Sequence, residues 1–276
     1  MPSAIMNEDV TSPGPELLIA HPEPGVVVLT LNRPNARNAL SLSLMKALHA
    51  AIDEAGRDAA IAAIVIAANG PVFSAGHDLK EMTAHRTNAD GGLAFFDSTM
   101  SACAALMQAI IACPKPVIAA VQGTATAAGC QLVATCDLAV ASDAAEFGTP
   151  GVNIGLFCST PMVALSRNVP RKQAMEMLLL GETMTATEAA HYGLINRAVA
   201  AERVREEALG MARRIASKSK ATVAIGKEAF HRQIEMPVAE AYNFAAKVMV
   251  ENMMIADANE GICAFIEKRP AHWKDV

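Results

Sequence analysis

Apolar residues run along the chain in two patterns, and the pattern changes partway. The run Gly25 to Asn32 (GVVVLTLN) is continuous and rich in β-branched residues, and Arg33-Pro34 ends it, which predicts a buried strand and a turn. Ser41 is placed to cap the next segment, Leu42 to Glu54, where Leu44, Leu48, Ala51 and Ile52 recur at helical spacing. A second buried strand is predicted over Ala62 to Ala68, closed by Asn69-Gly70-Pro71. A helix follows over Phe95 to Cys113, stopped by Pro114 and Pro116. Val117 to Val121 (VIAAV) reads as a third strand, Ala128 to Thr135 as a short helix, and Asp137 to Ser142 (DLAVAS) as a fourth strand. Strands alternating with helices predict an α/β architecture with crossover connections.

From Lys172 onward the strand signals fade, and 172–180, 186–192, 202–218, 221–233, 237–256 and 258–267 read as successive helices. The chain thus divides into an α/β core over 1–200 and a helical C-terminal region over 201–276. Within 221–267, runs such as Ala245 to Val250 and Met253 to Ile255 exceed what a small helical tail needs for its own packing. Burial against other copies of the chain in a homo-oligomer is the expected outcome.

Composition narrows the function. With 276 residues, 52% of them apolar, the chain can bury a sizeable core and is not disordered. Aromatics at 4% and a net charge of −5 argue against stacking on, or neutralising, a nucleic acid. Cys103, Cys113, Cys130, Cys136, Cys158 and Cys263 form no C-x-x-C pair and no zinc spacing, so they read as small buried hydrophobes and no metal is expected. Met1 to Pro15 contains Glu8 and Asp9 but no Lys or Arg, unlike a signal or transit peptide. No uninterrupted apolar stretch nears the ~20 residues of a membrane span. These features together predict a soluble cytoplasmic protein without a membrane or nucleic-acid partner.

Two stretches of small residues offer chemistry: Phe73 to Leu79 (FSAGHDL) and Gly123 to Cys130 (GTATAAGC). Small residues let a ligand approach the backbone, and amides at a helix start point outward with the positive end of the dipole. Facing one another, two such turns would give one oxyanion two amide donors.

In this order and separation the stretches resemble the crotonase, or enoyl-CoA hydratase, superfamily. LNRPNARNALS (31–41) is similar to that family's opening strand, turn and helix, and VFSAGHDLKEM (72–82) to its first CoA-binding loop. The block PVIAAVQGTATAAGCQLVATCDLAVASDAAEFGTPGVNIGL (116–156) resembles its centre, and GICAFIEKRPAHW (261–273) its closing helix. The resemblance implies a spiral of ββα units with a C-terminal helical region that packs trimers, commonly paired as hexamers. It also implies an acyl-CoA thioester substrate from fatty-acyl metabolism, with coenzyme A entering as part of the substrate and no separate cofactor. The thioester carbonyl would be polarised by the backbone amides of His77 and Ala128, the second normally a glycine. Adenine and pantetheine would lie along Ser74, Ala75, Gly76, His77, Asp78 and Leu79, and Lys268 and Arg37 would meet the CoA phosphates.

The departures from the family pattern bear on the reaction. A hydratase of this family uses two glutamates to activate a water, and this chain has Gln131 and Gly151 at those positions. Glutamine can position a water but cannot accept its proton; glycine has no side chain to offer. The SAGHDL wording is similar to an acyl-CoA decarboxylase branch, in which the His77 imidazole could touch the acyl group; the alternative is that only its backbone matters and the ring packs outward. That branch has a tyrosine where Cys158 stands here. Cys158, Ser159 and Thr160 cluster near the acyl end, with His77 as the only available base for a nucleophile. Asp78, Asp137 and Glu146 read as bracing carboxylates and Asn153 as a turn residue. The expected function is an enoyl-CoA hydratase-type lyase that stabilises an enolate and hydrates weakly. The alternatives are a decarboxylase or thioesterase-type activity, or a non-catalytic acyl-CoA-binding protein.

Overall fold

The computed structural model describes residues 14–275, so nearly all of the amino-terminal stretch 1–15 lies outside the described residues. The first strand, β1 (Leu17–Glu23), pairs antiparallel with β2 (Val26–Leu31) and forms the exposed edge of the main sheet. Its own apolar pattern is broken by His21-Pro22, which suits an edge and hides the strand from a periodicity reading. β2 is buried throughout. Helix α1 (Leu42–Arg57) starts where the sequence places it, with the Leu44 amide donating to Ser41 Oγ at 3.1 Å.

From there the chain winds as a spiral, laying one strand in each of two sheets per turn. β3 (Ala63–Ala68) enters the main sheet and β4 (Val72–Ser74) the second, followed by α2 (Leu79–Ala84) and α3 (Leu93–Ala112). β5 (Val117–Val121) and β6 (Thr124–Thr126) repeat the move and lead into α4 (Ala128–Thr135). β7 (Leu138–Ser142) and β8 (Glu146–Gly148) repeat it again, ahead of a 3-10 turn over Pro150–Ile154, α5 (Pro161–Asn168) and α6 (Arg171–Leu180). β9 (Thr183–Thr185), α7 (Ala186–Tyr192) and β10 (Arg197–Val199) complete the sheets, in the orders β1-β2-β3-β5-β7-β10 and β4-β6-β8-β9. This is the expected spiral of ββα units.

β9 and β10 correct the expectation that strands end before Lys172. Each has three residues, too few for a period of two to register, and each extends an existing sheet edge. The main sheet is buried on both faces. Val27, Leu29, Ile64 and Ile66 pack with α1 and α3 residues such as Leu48, Leu106 and Ile110. On the other face Val26, Val28, Val65 and Ile118 meet α8 (Val204–Ala216) through Val204, Ala208, Met211 and Ala212. The expected boundary between 200 and 201 therefore falls ahead of a helix that covers the sheet. Contrary to the sequence expectation, α3 is long and apolar enough to cross a membrane. In the fold it is a core helix, burying Cys103, Leu106, Met107 and Ile110.

The last three helices, α9 (Lys220–Gln233), α10 (Val238–Met254) and α11 (Ala256–Glu267), attach by polar ties. Lys227 Nζ donates to Asp137 at 2.7 Å and to the carbonyls of Ile110 and Lys115, which fixes α9 to the core. Asp137 also accepts the Val117 amide, so its carboxylate braces strand ends as expected. Trp273 Nε1 donates to the Ser217 carbonyl, and Asp257 accepts the Lys274 and Asp275 amides.

Candidate active site

Parallel pairing of β4 with β6 sets the two small-residue turns side by side. Their backbones touch. A Cβ at Gly76 would stand 3.1 Å from the Ala128 nitrogen and 2.8 Å from the Ala127 Cβ. One at Gly129 would stand 2.3 Å from the Ser74 carbonyl oxygen. Ala127, which ends the approach to α4, holds φ 50° and ψ −121°, a conformation glycine adopts freely and alanine does not. This twist ends the β6 ladder and turns the Ala128 amide away from it. Among the described residues neither the Ala128 amide nor the His77 amide donates to any protein acceptor.

The first turn is braced from behind. Ser74 is buried and its hydroxyl donates to the Asn38 carbonyl at 2.9 Å, while the Ala75 amide donates to Arg37 O and the Leu40 amide to Gly76 O. Asp78 accepts the Lys80 and Glu81 amides at the start of α2 and pairs with Arg33 at 2.9 Å. Burial opposes ionisation of Asp78, but Arg33 and those amides outweigh it and hold its carboxyl below the ordinary value. Leu79 is exposed at the mouth of this loop.

His77 departs from the outward-ring reading. Both ring nitrogens are sealed from solvent, and the ring's approach to the Leu40 backbone falls short of full hydrogen-bond geometry. Burial outweighs that Leu40 contact and pushes the His77 pKa down from the ordinary histidine value, which favours the neutral ring. The Cys158 and His77 side chains share no hydrogen bond, so the nucleophile-and-base pair is not assembled. Burial pushes the Cys158 thiol up, against an opposing contact from the Gly151 amide. The Ser159 hydroxyl donates to the neighbouring Phe157 carbonyl.

At the two positions where the resemblance expects acid–base groups, the structure has a neutral amide and a filled space. Gln131 is buried on the first turn of α4, and Cys103 Sγ of α3 donates to its Oε1 at 3.6 Å. At Gly151 the 3-10 turn curls back, with the Leu156 amide donating to Gly151 O at 2.9 Å. A Cβ there would stand 2.6 Å from the Leu156 carbonyl oxygen and 2.8 Å from Cys158 Sγ. Asn153 secures this loop by donating to the Gly181 carbonyl, and Glu146 accepts from Thr183, both structural roles as expected.

Of the remaining candidates, Arg37 is exposed, and its carbonyl already anchors the first turn. Lys268 caps α11, which packs on α9 and α10. Sequence reasoning missed three features here: the Ala127 backbone twist, the Cys103 contact to Gln131, and the buried, unpartnered Thr149 hydroxyl just before Pro150. Among the described residues no three His, Cys, Asp or Glu group to hold a metal.

Comparison with known proteins completes the picture. The enoyl-CoA hydratase/isomerase family model matches residues 22–276. The enoyl-CoA hydratase domain-containing protein 3 of Rattus norvegicus is 46% identical over 259 residues, which cover 94% of this chain and 85% of the relative. A probable enoyl-CoA hydratase of Rhizobium meliloti is 38% identical, covering 94% of this chain and 98% of the relative. Among solved structures, an enoyl-CoA hydratase of Mycobacterium smegmatis is similar with a TM-score of 0.89 at 49% identity, covering 94% of this chain and 99% of the other. The human domain-containing protein 3 gives 0.89 at 43% identity, covering 94% and 100%. The rat, mouse and human relatives are named mitochondrial, which overturns the expectation of a cytoplasmic protein. Fold, family model and relatives agree: the chain belongs to the enoyl-CoA hydratase/isomerase family of the crotonase superfamily.

Proposed function

We propose that this protein is an enzyme that binds an acyl-CoA thioester and stabilises the enolate form of its acyl group between the amides of His77 and Ala128. The observation that carries the reading is the contact of the two turns, which leaves both amides without a protein acceptor. Thioester oxygen seated there would gain negative charge facing two fixed donors, each worth about 3–4 kcal/mol in comparable holes. Ser74, Ala75, Gly76, Asp78 and Leu79 line the CoA side through their backbone, with Arg37 and Lys268 as the phosphate-facing cations. Acyl-CoA thioesters bind only the folded chain, so they raise its melting temperature by mass action. Replacing Lys268 or Arg37 with Ala weakens that shift. No shift with several acyl-CoAs at millimolar concentration would overturn the reading.

The assembly we propose is a homo-oligomer, a trimer or a pair of trimers. α9 and α10 bury no residue within the chain, yet Phe230, Val238, Tyr242, Met249 and Met254 are exposed on them. A closed symmetric assembly covers such a face without leaving an open end. Light scattering at micromolar concentration tests this, and a monomeric mass would contradict it.

A further inference from the structure

Gln131 occupies a particular position relative to the amide of Ala128. Residues three apart share a helix face, and helical side chains lean toward the amino terminus, so Gln131 lies over the turn that carries the Ala128 N–H. Its carbonyl end is already engaged. Cys103 Sγ lies 3.6 Å from Oε1, and burial pushes that thiol up to about 11, so it stays protonated and can only donate to the oxygen. Fixing Oε1 toward α3 turns Nε2 the other way. Nε2 donates to no group among the described residues and is not among the sealed, unpartnered atoms. The side chain therefore presents two N–H donors and no acceptor on its free side.

The titratable groups described at this end of the site offer no free cation to match an anion. Cys158 is held as a thiol and His77 as a neutral ring, while Arg33, which reaches this loop, is already paired with Asp78 and Glu16. A carboxylate buried beside Gln131 would be uncompensated. A neutral carbonyl oxygen would be met by a donor.

Building on the acyl-CoA reading above, we infer that Gln131 sets acyl specificity: fixed by Cys103 with its N–H groups inward, it selects thioesters that carry an uncharged acceptor oxygen on the β carbon, as in a 3-oxoacyl group, over plain acyl chains. Gln131 is the residue that touches the ligand. Cys103 is a positioning residue that acts through it.

Isothermal titration of the full-length protein with acetoacetyl-CoA and butyryl-CoA tests this through the ratio of the two affinities, which a general loss of stability does not mimic. The expected wild-type ratio is about fivefold to tenfold in favour of acetoacetyl-CoA, the worth of one neutral hydrogen bond. Gln131→Leu brings the ratio to about one, because the donor is gone. Cys103→Ala lowers it, because the amide is free to turn over, and Cys103→Ser restores it, because a hydroxyl also donates to Oε1. A wild-type ratio near one with both ligands binding overturns this inference and leaves the acyl-CoA reading intact. Failure of both ligands to bind overturns the acyl-CoA reading with it. A ratio that survives Gln131→Leu overturns the role given to Gln131.

Discussion

Two regions of the site lie within one helical turn of each other and are built on opposite terms. The cradle of Ser74 to Asp78 and Ala127 to Gly129 is backbone against backbone, with approach distances that exclude a side chain at Gly129 and crowd one at Gly76. The acyl end at Gln131, Gly151 and Cys158 is made of neutral side chains and a loop folded back on itself. The first region suits charge stabilisation, which needs fixed dipoles. In the second, neither Gln131 nor Gly151 offers an ionisable side chain that can take a proton and return it. The two regions answer to different parts of the sequence, because amides come from the chain path and carboxylates from single side chains.

The largest effect that would break this comparison is ordinary hydratase activity. Two glutamates acting on one water work as a unit, and general acid–base groups of this kind are worth about 10²–10⁴ each. Crotonyl-CoA hydration, followed by loss of enoyl-thioester absorbance, is expected about 10²–10⁴ below the rate of a family member with both glutamates. A rate near that of such a member would mean that another residue transfers the proton.

Next in size is the cradle itself. Gly129→Ala puts a methyl group 2.3 Å from the Ser74 carbonyl, so β4 and the start of α4 must separate. Under the proposed function, separation moves the Ala128 amide off the thioester oxygen, and losing one such donor costs about 10²–10³ in turnover. Acyl-CoA thermal shifts and turnover of any accepted thioester should both collapse in this variant. Unchanged values would mean the two amides do not act together.

At the acyl end the structure revises what the sequence suggests. Reading Gln131 and Gly151 as vacant glutamate positions invites the double change Gln131→Glu with Gly151→Glu as a gain of hydratase activity. Gly151 keeps an ordinary φ, but any side chain there meets the Leu156 carbonyl and Cys158 Sγ. Overpacking of this kind costs about 1–3 kcal/mol. Gly151→Ala should therefore lower the melting temperature, and the double variant should gain no hydration rate. Adding Cys158→Ala relieves only the sulfur contact, so a gain in that triple variant would locate the obstacle in the thiol rather than in the loop.

Local chemistry was legible in the sequence; contacts across the fold were not. Ser41 and the helix read over Leu42 to Glu54, which runs on to Arg57, the buried runs of β2, β3 and β5, and α4 from Ala128 to Thr135 all follow from caps, periods and breakers within a dozen residues. The three-residue strands β4, β6, β8, β9 and β10 are too short to carry a period and exist because a neighbouring strand pairs with them. Both turns of the cradle stood out as small-residue stretches, yet only their pairing places Gly76 against Ala128. The hydrogen bond between Cys103 and Gln131 spans 28 residues, and a cysteine in an apolar helix gives no sign of it. Nor does Gly151 reveal, as a letter, that the loop after it fills the space beside it.

The smallest expected effect separates the cradle's aim from its stability. Ala127 holds a positive φ of 50° with ψ −121°, where a Cβ is strained, and its strain is of order 1–3 kcal/mol. Ala127→Gly removes the strain but gives the unfolded chain more freedom, which costs about 0.5–1 kcal/mol. The balance favours the glycine by about 1 kcal/mol, which in a chain of this size raises the melting temperature by about 2–4 °C. The same change frees the peptide that aims the Ala128 amide and removes the Ala127 methyl that packs against Gly76, so acyl-CoA binding should weaken about twofold to fivefold even as stability rises. Melting curves with and without an acyl-CoA read both quantities in one experiment. A lower melting temperature would show that the alanine conformation is relaxed and that the methyl contact matters more. A higher one with unchanged ligand shift would show that the amide is aimed by β6 and α4 rather than by Ala127.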